Sequence, residues 1–516
     1  MAVTSVKLEQ APAKKVHRVE GIGAQLNTNL FVRGGQFVDL SSNQRRELEG
    51  AIRNLKLGHS RIFVLKDLRP ETAQGRAKPQ FQALMKTIEL VHHAAPHATV
   101  NLTWWQGPYG TPEKLAALKW PNAKVEDWPH SGLQKWPDEL TNPAHKRAIT
   151  APRVMMRRFA RIVEEARRQF PCVTHVTIQN EPNGEGHDLA RKGNPGLSRR
   201  LYELLYRHLD AELKKIPDPQ RPSRKLRQAI TIVAGDLVDR PKAPRNNQDV
   251  WLKYIHANME RPRTGFPSVV DAYSIHVYWD PTRNIGEGFP KKLEGRLRRL
   301  VGTIRNLPSD LPIYVTEYGV KLQKAKLEPG TLDRVTLEKH PRVAFQHAWF
   351  NALAPQCGTA GLAKWVLYRT EPPPRGWGNW GMLDSPSQQF ERTPVYRVTR
   401  FFNHVVPSGW RAAGFGPQAD KKDILVSGNI LVSRFAAPNG VDNSVVVLNS
   451  TPDRQDVQVH GLTKNRAYHG AVWNRDGNGR NQPLDPVRTG ADGTAVVHDV
   501  PPHGVVGLST LPLNLF

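Results

Sequence analysis

Cysteine is almost missing from this 516-residue chain: Cys172 and Cys357 are its only two. Each stands just ahead of a run that reads as a strand. Two such residues supply neither a disulfide framework nor the paired spacing of a zinc site, so both are expected to be structural. Long apolar runs are missing as well, and none approaches the roughly 20 residues that a membrane span needs. Residues 1–15 mix Lys, Glu, Gln and Pro with no apolar stretch, so no secretory leader is written there. The expected location is cytoplasmic by default, or outside the cell if a leader has been removed. Acidic residues are scarce beside basic ones, 47 against 73, which gives a formal net charge of +26. That surplus would attract nucleic acid, anionic membranes or acidic polysaccharide. It is dispersed, however: the Arg-rich stretches 157–168 and 296–305 fall at helical spacing, where a solvated helix face is the plain reading. No RNA-recognition, zinc-finger or homeodomain pattern accompanies them, so neither a specific nucleic-acid partner nor a membrane is expected. Cofactor signatures are also lacking. Gly21-Ile22-Gly23 has no third glycine and no following helix, Asp476-Gly477-Asn478-Gly479 has no downstream Glu, and His92, His93 and His97 surround Pro96 at a helix end. No metal or organic cofactor is expected.

What is present is alternation. From about residue 19 to 405, short β-rich runs (20–30, 60–65, 99–105, 175–179, 229–234, 272–279, 313–316 and 362–367) take turns with longer amphipathic segments. Helical periodicity is clearest over 42–57, 79–95, 153–169, 197–215, 290–306 and 343–354, with Ser42 and Ser198 at or beside N-cap positions. Eight β/α units in this length describe an α/β fold of the (β/α)8 TIM barrel type better than an open doubly wound sheet. After about residue 407 the helical pattern stops. Short alternating runs follow at 424–426, 430–435, 444–448, 456–459, 467–473, 495–500 and 505–508, punctuated by Asn439-Gly440, Asp476-Gly477 and Asp492-Gly493. These imply a C-terminal antiparallel β-sandwich domain. The expected division is therefore an N-terminal extension over 1–18, a catalytic barrel over 19–406 and a sandwich over 407–516.

Two strands close on a glutamate. Asn180-Glu181-Pro182 ends the fourth β-rich run, and Thr316-Glu317-Tyr318-Gly319 ends the seventh. In a TIM barrel the C-terminal strand ends converge on one face, so polar residues just past each apolar run meet there. Paired carboxyls are what glycosidic-bond cleavage requires, one to protonate the leaving oxygen and one to attack or to activate water. A strand-end Glu alone is more often an exposed or ion-paired carboxylate. Strand numbers four and seven together shift the balance.

On these residues the chain resembles glycoside hydrolase clan A, the retaining (β/α)8 glycosidases with an Asn-Glu-Pro acid/base on strand four and a Glu nucleophile on strand seven. The β-xylosidase-like and cellulase-like families are the most similar in motif style. The resemblance implies that Glu181 is the acid/base, Glu317 the nucleophile, and the bond cleaved that of a β-linked sugar. It also implies supporting roles. Arg61 resembles the clan's strand-two arginine that keeps the nucleophile ionised, Asn180 would bond the sugar 2-hydroxyl, Tyr278 resembles the tyrosine that bonds the nucleophile, and Trp365 the tryptophan under the sugar. His276 alternates with Tyr278 on strand six and so points the same way, with a structural role as its rival reading. Asn27, within run one, and Trp105, which ends run three, complete the substrate-binding candidates. Trp104-Trp105-Gln106 departs from clan members that show His or Asn there. The following stretch, 107–150, carries Tyr109, Trp120, Trp128 and Trp136, which suit either sugar stacking or a satellite apolar cluster. The expected partner is an oligosaccharide, polysaccharide or glycoside. A transglycosidase using the same residues stays open, as does a non-catalytic protein that binds acidic glycan or nucleic acid.

Overall fold

A computed structural model describes residues 3–7, 18–31, 40–64, 68, 70–104, 143–184, 199–239, 247–261, 267–279, 299–300, 302–303, 306–320, 337–369, 380–416, 430–474 and 480–515, with backbone alone at 7, 29, 143–152, 200–201, 337 and 414–416. Eight parallel strands close into a barrel in chain order: Ile22–Leu26, Ser60–Val64, Val100–Trp104, Val173–Ile178, Thr231–Val238, Ala272–Trp279, Ile313–Val320 and Thr359–Lys364. These are the eight expected strands. Nearly every residue in them is buried, as strands covered on both faces must be, so they read as continuous apolar runs and not as alternation. By packing, the chain divides into two compact units: Met1–Arg61, Leu90–Thr99 and Val277–Phe516 form one, and Ile62–Glu89 and Val100–His276 the other.

The helices start where local chemistry favours it. Ser41, one residue before the expected Ser42, caps the helix Ser42–Leu55: its hydroxyl accepts from the Gln44 amide, and the Gln44 side chain accepts from the Ser41 amide. Such a reciprocal cap stabilises a helix by about 1 kcal/mol. Thr393 caps Pro394–Val405, whose first residue is a proline that has no amide to leave unsatisfied. The helix Pro341–Gln356 is buried from Val343 through Gln356. It is covered on both sides: strands seven and eight lie against one, and Ser433 and Arg434 of a second sheet meet it through hydrogen bonds to Ala352 and from Gln356. Ser198 and most of 290–306 lie outside the described residues.

That second sheet has six strands, ordered Arg411–Gly416, Ile430–Ala436, Asn443–Asn449, Gly504–Ser509, Ala467–Asn474 and Asn481–Arg488. A three-stranded sheet, Val3–Lys7 beside Gln455–His460 beside Ala495–Val500, faces it. Val6, Val432, Val447, Val457, Tyr468, Val497 and Leu508 share the core between the two. The antiparallel sandwich is thus present, with one difference from the sequence reading: the first 18 residues, expected only as an extension, contribute a strand to it. That strand runs parallel to Gln455–His460. No described helix is long and apolar enough to cross a membrane. Cys172 and Cys357 are free thiols, and burial pushes Cys172 up to about 12.

Candidate active site

Glu317 sits on strand seven with 3% of its surface exposed, and both of its oxygens are held. The Arg61 guanidinium on strand two donates to Oε1 at 2.5 Å, and the Tyr278 hydroxyl on strand six donates to Oε2 at 2.7 Å. Arg61 is fully buried and also reaches Gln25 Oε1 on strand one, at 3.4 Å. A fully buried guanidinium is tolerable only when paired, and Glu317 is its partner. The Tyr278 ring packs against Trp380, with centroids 5.9 Å apart.

Below that tyrosine and tryptophan lies a buried ion pair. Lys364, the last residue of strand eight, has no exposed side-chain surface, and its Nζ donates to Glu338 Oε1 at 3.0 Å and to the carbonyl of Trp380 at 3.0 Å. It also donates to the carbonyl of Trp365. Burial pushes the Glu338 carboxyl up and the Lys364 ammonium down, each opposed by attraction to the other. His347 is held well below the ordinary imidazole range by burial first and the Lys364 charge second. It packs on Trp279 and Tyr318, and is a neutral part of the core.

Glu181 has a different setting. It follows strand four in a turn where Gln179 and Glu181 take left-handed backbone conformations, with φ of +67° and +44°. The turn is pinned on both sides: the Asn183 side chain donates to the Val238 carbonyl at 2.8 Å and accepts from the Val238 amide at 3.0 Å. The Gly184 amide closes it onto the Glu181 carbonyl at 2.8 Å. The Glu181 side chain keeps 17% exposure, and its Oε1 lies 3.1 Å from His276 Nδ1. On the far side of the imidazole, Asp236 Oδ1 of strand five lies 3.8 Å from Nε2.

Of the residues expected from sequence, Arg61, Tyr278 and Glu317 come together as one cluster, and His276 and Glu181 as another. Asn180 is buried at the end of strand four. Trp365 follows strand eight, half-buried, with a cis peptide bond to Val366. Asn27 follows strand one, and its main-chain carbonyl accepts from the Tyr368 hydroxyl. Trp105 and the aromatic stretch Tyr109, Trp120, Trp128 and Trp136 lie outside the described residues. Sequence reading missed Gln25, Asp236, Ser274, Glu338, Lys364 and Trp380. Ser274 had a signal: residues 274, 276 and 278 share one face of a strand. So did Asp236, a lone acid directly after Gly235 inside the apolar run 230–238.

No family model matches this chain, and no curated protein does. Solved structures do match over nearly the whole length. A family 30 endoxylanase from Clostridium papyrosolvens C71 is 11% identical, with a TM-score of 0.57, over 98% of this chain and 99% of its own. The catalytic domain of the family 30 xylanase C from Talaromyces cellulolyticus is 10% identical, with a TM-score of 0.60 and the same coverage. An α-L-arabinofuranosidase from Thermotoga maritima is 14% identical, with a TM-score of 0.58, again over 98% and 99%. This chain shares the fold of these glycoside hydrolases. At such identities the likeness is one of architecture, and the chemistry has to be argued from the side chains.

Proposed function

We propose that the chain is a retaining glycoside hydrolase, with Glu317 as nucleophile and Glu181 as general acid/base. One observation carries this: the strand-seven carboxylate accepts from a buried arginine on one oxygen and a tyrosine on the other. A carboxylate so placed is aimed, as an attacking group must be. Glu181, with one face partly exposed and an imidazole against the other, is free to hand a proton to a leaving oxygen and later take one from water. In the first step Glu317 bonds to the anomeric carbon while the glycosidic C–O bond breaks and Glu181 protonates the departing oxygen. In the second, water attacks that carbon, Glu181 takes the water proton, and Glu317 leaves. Arg61 and Tyr278 would hold Glu317 through both steps. Asn180 and Trp365 would contact the sugar. The substrate is proposed to be a glycoside, oligosaccharide or polysaccharide with a β-linked sugar.

The test is a panel of aryl glycosides that includes xylosides, arabinofuranosides and glucosides of both anomers, with the product anomer followed by NMR. Retention is expected, and an inverted product would remove the double-displacement assignment. Glu317→Gly is expected to abolish turnover, and azide to restore it as a glycosyl azide of inverted configuration. Glu181→Ala is expected to lose most where the leaving group is poor, because an activated phenolate departs with little proton donation. A rate dependence on leaving-group acidity unchanged from wild type would place the acid elsewhere. Binding of an acidic glycan without any hydrolysis would favour the non-catalytic alternative.

A further inference from the structure

We propose that Asp236 is a positioning residue that acts through His276 to hold the proton on Glu181, an inference that rests on the acid/base reading of Glu181 above. The first observation is a distortion of strand five. Its register against strand six pairs Ala234 with Tyr273 and Leu237 with Ile275, so one extra residue bulges out between them. Within the bulge Gly235 has φ +144° and Asp236 φ +52°. A bulge re-aims a side chain that regular alternation would send elsewhere. Asp is one of the few non-glycine residues that tolerate this left-handed conformation.

The distortion is fixed from several sides. A Cβ on residue 235 would come within 2.0 Å of the Ser274 carbonyl oxygen, so the position requires glycine. The Gly235 amide donates to the Tyr202 hydroxyl at 2.7 Å, and the Asp236 amide donates to Ser274 Oγ at 2.7 Å. Ser274 in turn donates its hydroxyl to Asp236 Oδ1 at 2.8 Å. What this anchoring secures is the acid itself, fully buried, on the Nε2 side of His276, whose Nδ1 faces Glu181.

The chemistry follows from the two nitrogens of a neutral imidazole, of which one donates and one accepts. A buried carboxylate beside Nε2 favours the tautomer with its proton there. Nδ1 is then a bare acceptor toward Glu181 Oε1, and only a protonated carboxyl can meet it with a hydrogen bond. The chain Asp236, His276, Glu181 therefore favours the protonated Glu181 that the first step consumes, a hydrogen bond to the neutral form of the acid. Asp236 stays a carboxylate and His276 keeps its Nε2 proton throughout. Glu181 gives its proton to the leaving oxygen as the C–O bond's electron pair moves there, and recovers one from water in the second step.

The experiment uses the full chain labelled with 15N-histidine, in wild type, Asp236→Asn, His276→Gln and the double variant. Asn keeps the shape and tolerates the backbone conformation, but its amide can turn a donor toward Nε2. The wild-type His276 ring is expected to show a protonated Nε2 and a bare Nδ1, and Asp236→Asn to move it toward the other tautomer. On a glycoside with a poor leaving group, Asp236→Asn is expected to lose about 10- to 100-fold in kcat/KM, part of the roughly 10²- to 10⁴-fold that general acid catalysis supplies. On a dinitrophenyl glycoside the loss should be a few-fold. The double variant should lose no more than His276→Gln alone, since the aspartate works through the ring. A wild-type ring protonated on Nδ1 only, a ring spectrum unchanged by Asp236→Asn, equal losses on both substrates, or additive losses would each overturn the proposal. If Asp236→Asn does not fold, the wild-type ring spectrum decides. If the wild type hydrolyses no glycoside, the functional reading falls, and the ring spectra still decide whether Asp236 sets the tautomer.

Discussion

Replacing Lys364 by Met exposes what the buried ion pair is worth. Its ammonium has no exposed surface, and Glu338, 3.0 Å away, has 3%. Removing the lysine leaves a buried carboxylate without its cation, a loss of about 3–5 kcal/mol. The carbonyls of Trp365 and Trp380 lose a donor as well, at about 1 kcal/mol each. The double variant Lys364→Met with Glu338→Leu removes the desolvation of both charges, a gain of roughly 1–4 kcal/mol that offsets the two orphaned carbonyls. The double is therefore expected within about 2 kcal/mol of wild type, and more stable than Lys364→Met alone. Urea unfolding of the wild type, both singles and the double measures this. The pH dependence has a definite sign. In Lys364→Met the lone buried Glu338 has its folded value raised above the unfolded one, so the native state binds the extra proton. Stability then falls as pH rises, and the deficit against wild type should be smaller at pH 5 than at pH 8. Single-variant losses that simply add in the double, with no pH trend, would refute the reasoning.

Two further outcomes are expected. Tyr278→Phe removes one 2.7 Å hydrogen bond to an ionised carboxylate, worth about 1.5–3 kcal/mol, and should lower kcat/KM about 10- to 100-fold with little change in melting temperature. His347, held neutral by burial, protonates only on unfolding, so stability should be lost as pH falls below its ordinary 6.5. The cost by pH 5 is about 2 kcal/mol, and thermal melts of His347→Phe over pH 5–8 should show a shallower acid-side slope than wild type.

The barrel was legible because strands buried on both faces write themselves as apolar runs, and parallel order leaves one closed arrangement of eight. Strands that miss that pattern were not seen. Asn481–Arg488 carries Pro483 and Pro486 and is largely exposed at the edge of the six-stranded sheet, where a missing amide costs nothing. Its residues read as loop. Val3–Lys7 is five residues long, and its partner lies some 450 positions away, a pairing that no local pattern encodes. Arg61 and Tyr278 were expected from the clan resemblance, and His276 from its alternation with Tyr278. Asp236 was not, because its direction comes from a bulge, and period-two alternation has no way to anticipate an inserted residue.

The two carboxyls also differ in how the fold treats them, and the difference matches the proposed division of labour. Glu317 is held by two donors, an arginine that cannot lose its proton and a tyrosine hydroxyl, both buried, with the ring of that tyrosine backed by Trp380. Such surroundings favour one direction of attack. Glu181 meets the His276 imidazole, on a turn that keeps part of the carboxyl open to solvent. An acid that must cycle its proton once per turnover needs access both to the leaving oxygen and to water. The pinned turn at Asn183 and the bulge at Gly235 are costly pieces of backbone that serve Glu181 and its imidazole, and Glu317 too lies where strand seven slips register against strand eight, between Val315 and Tyr318, with Arg61 and Tyr278 holding its two oxygens.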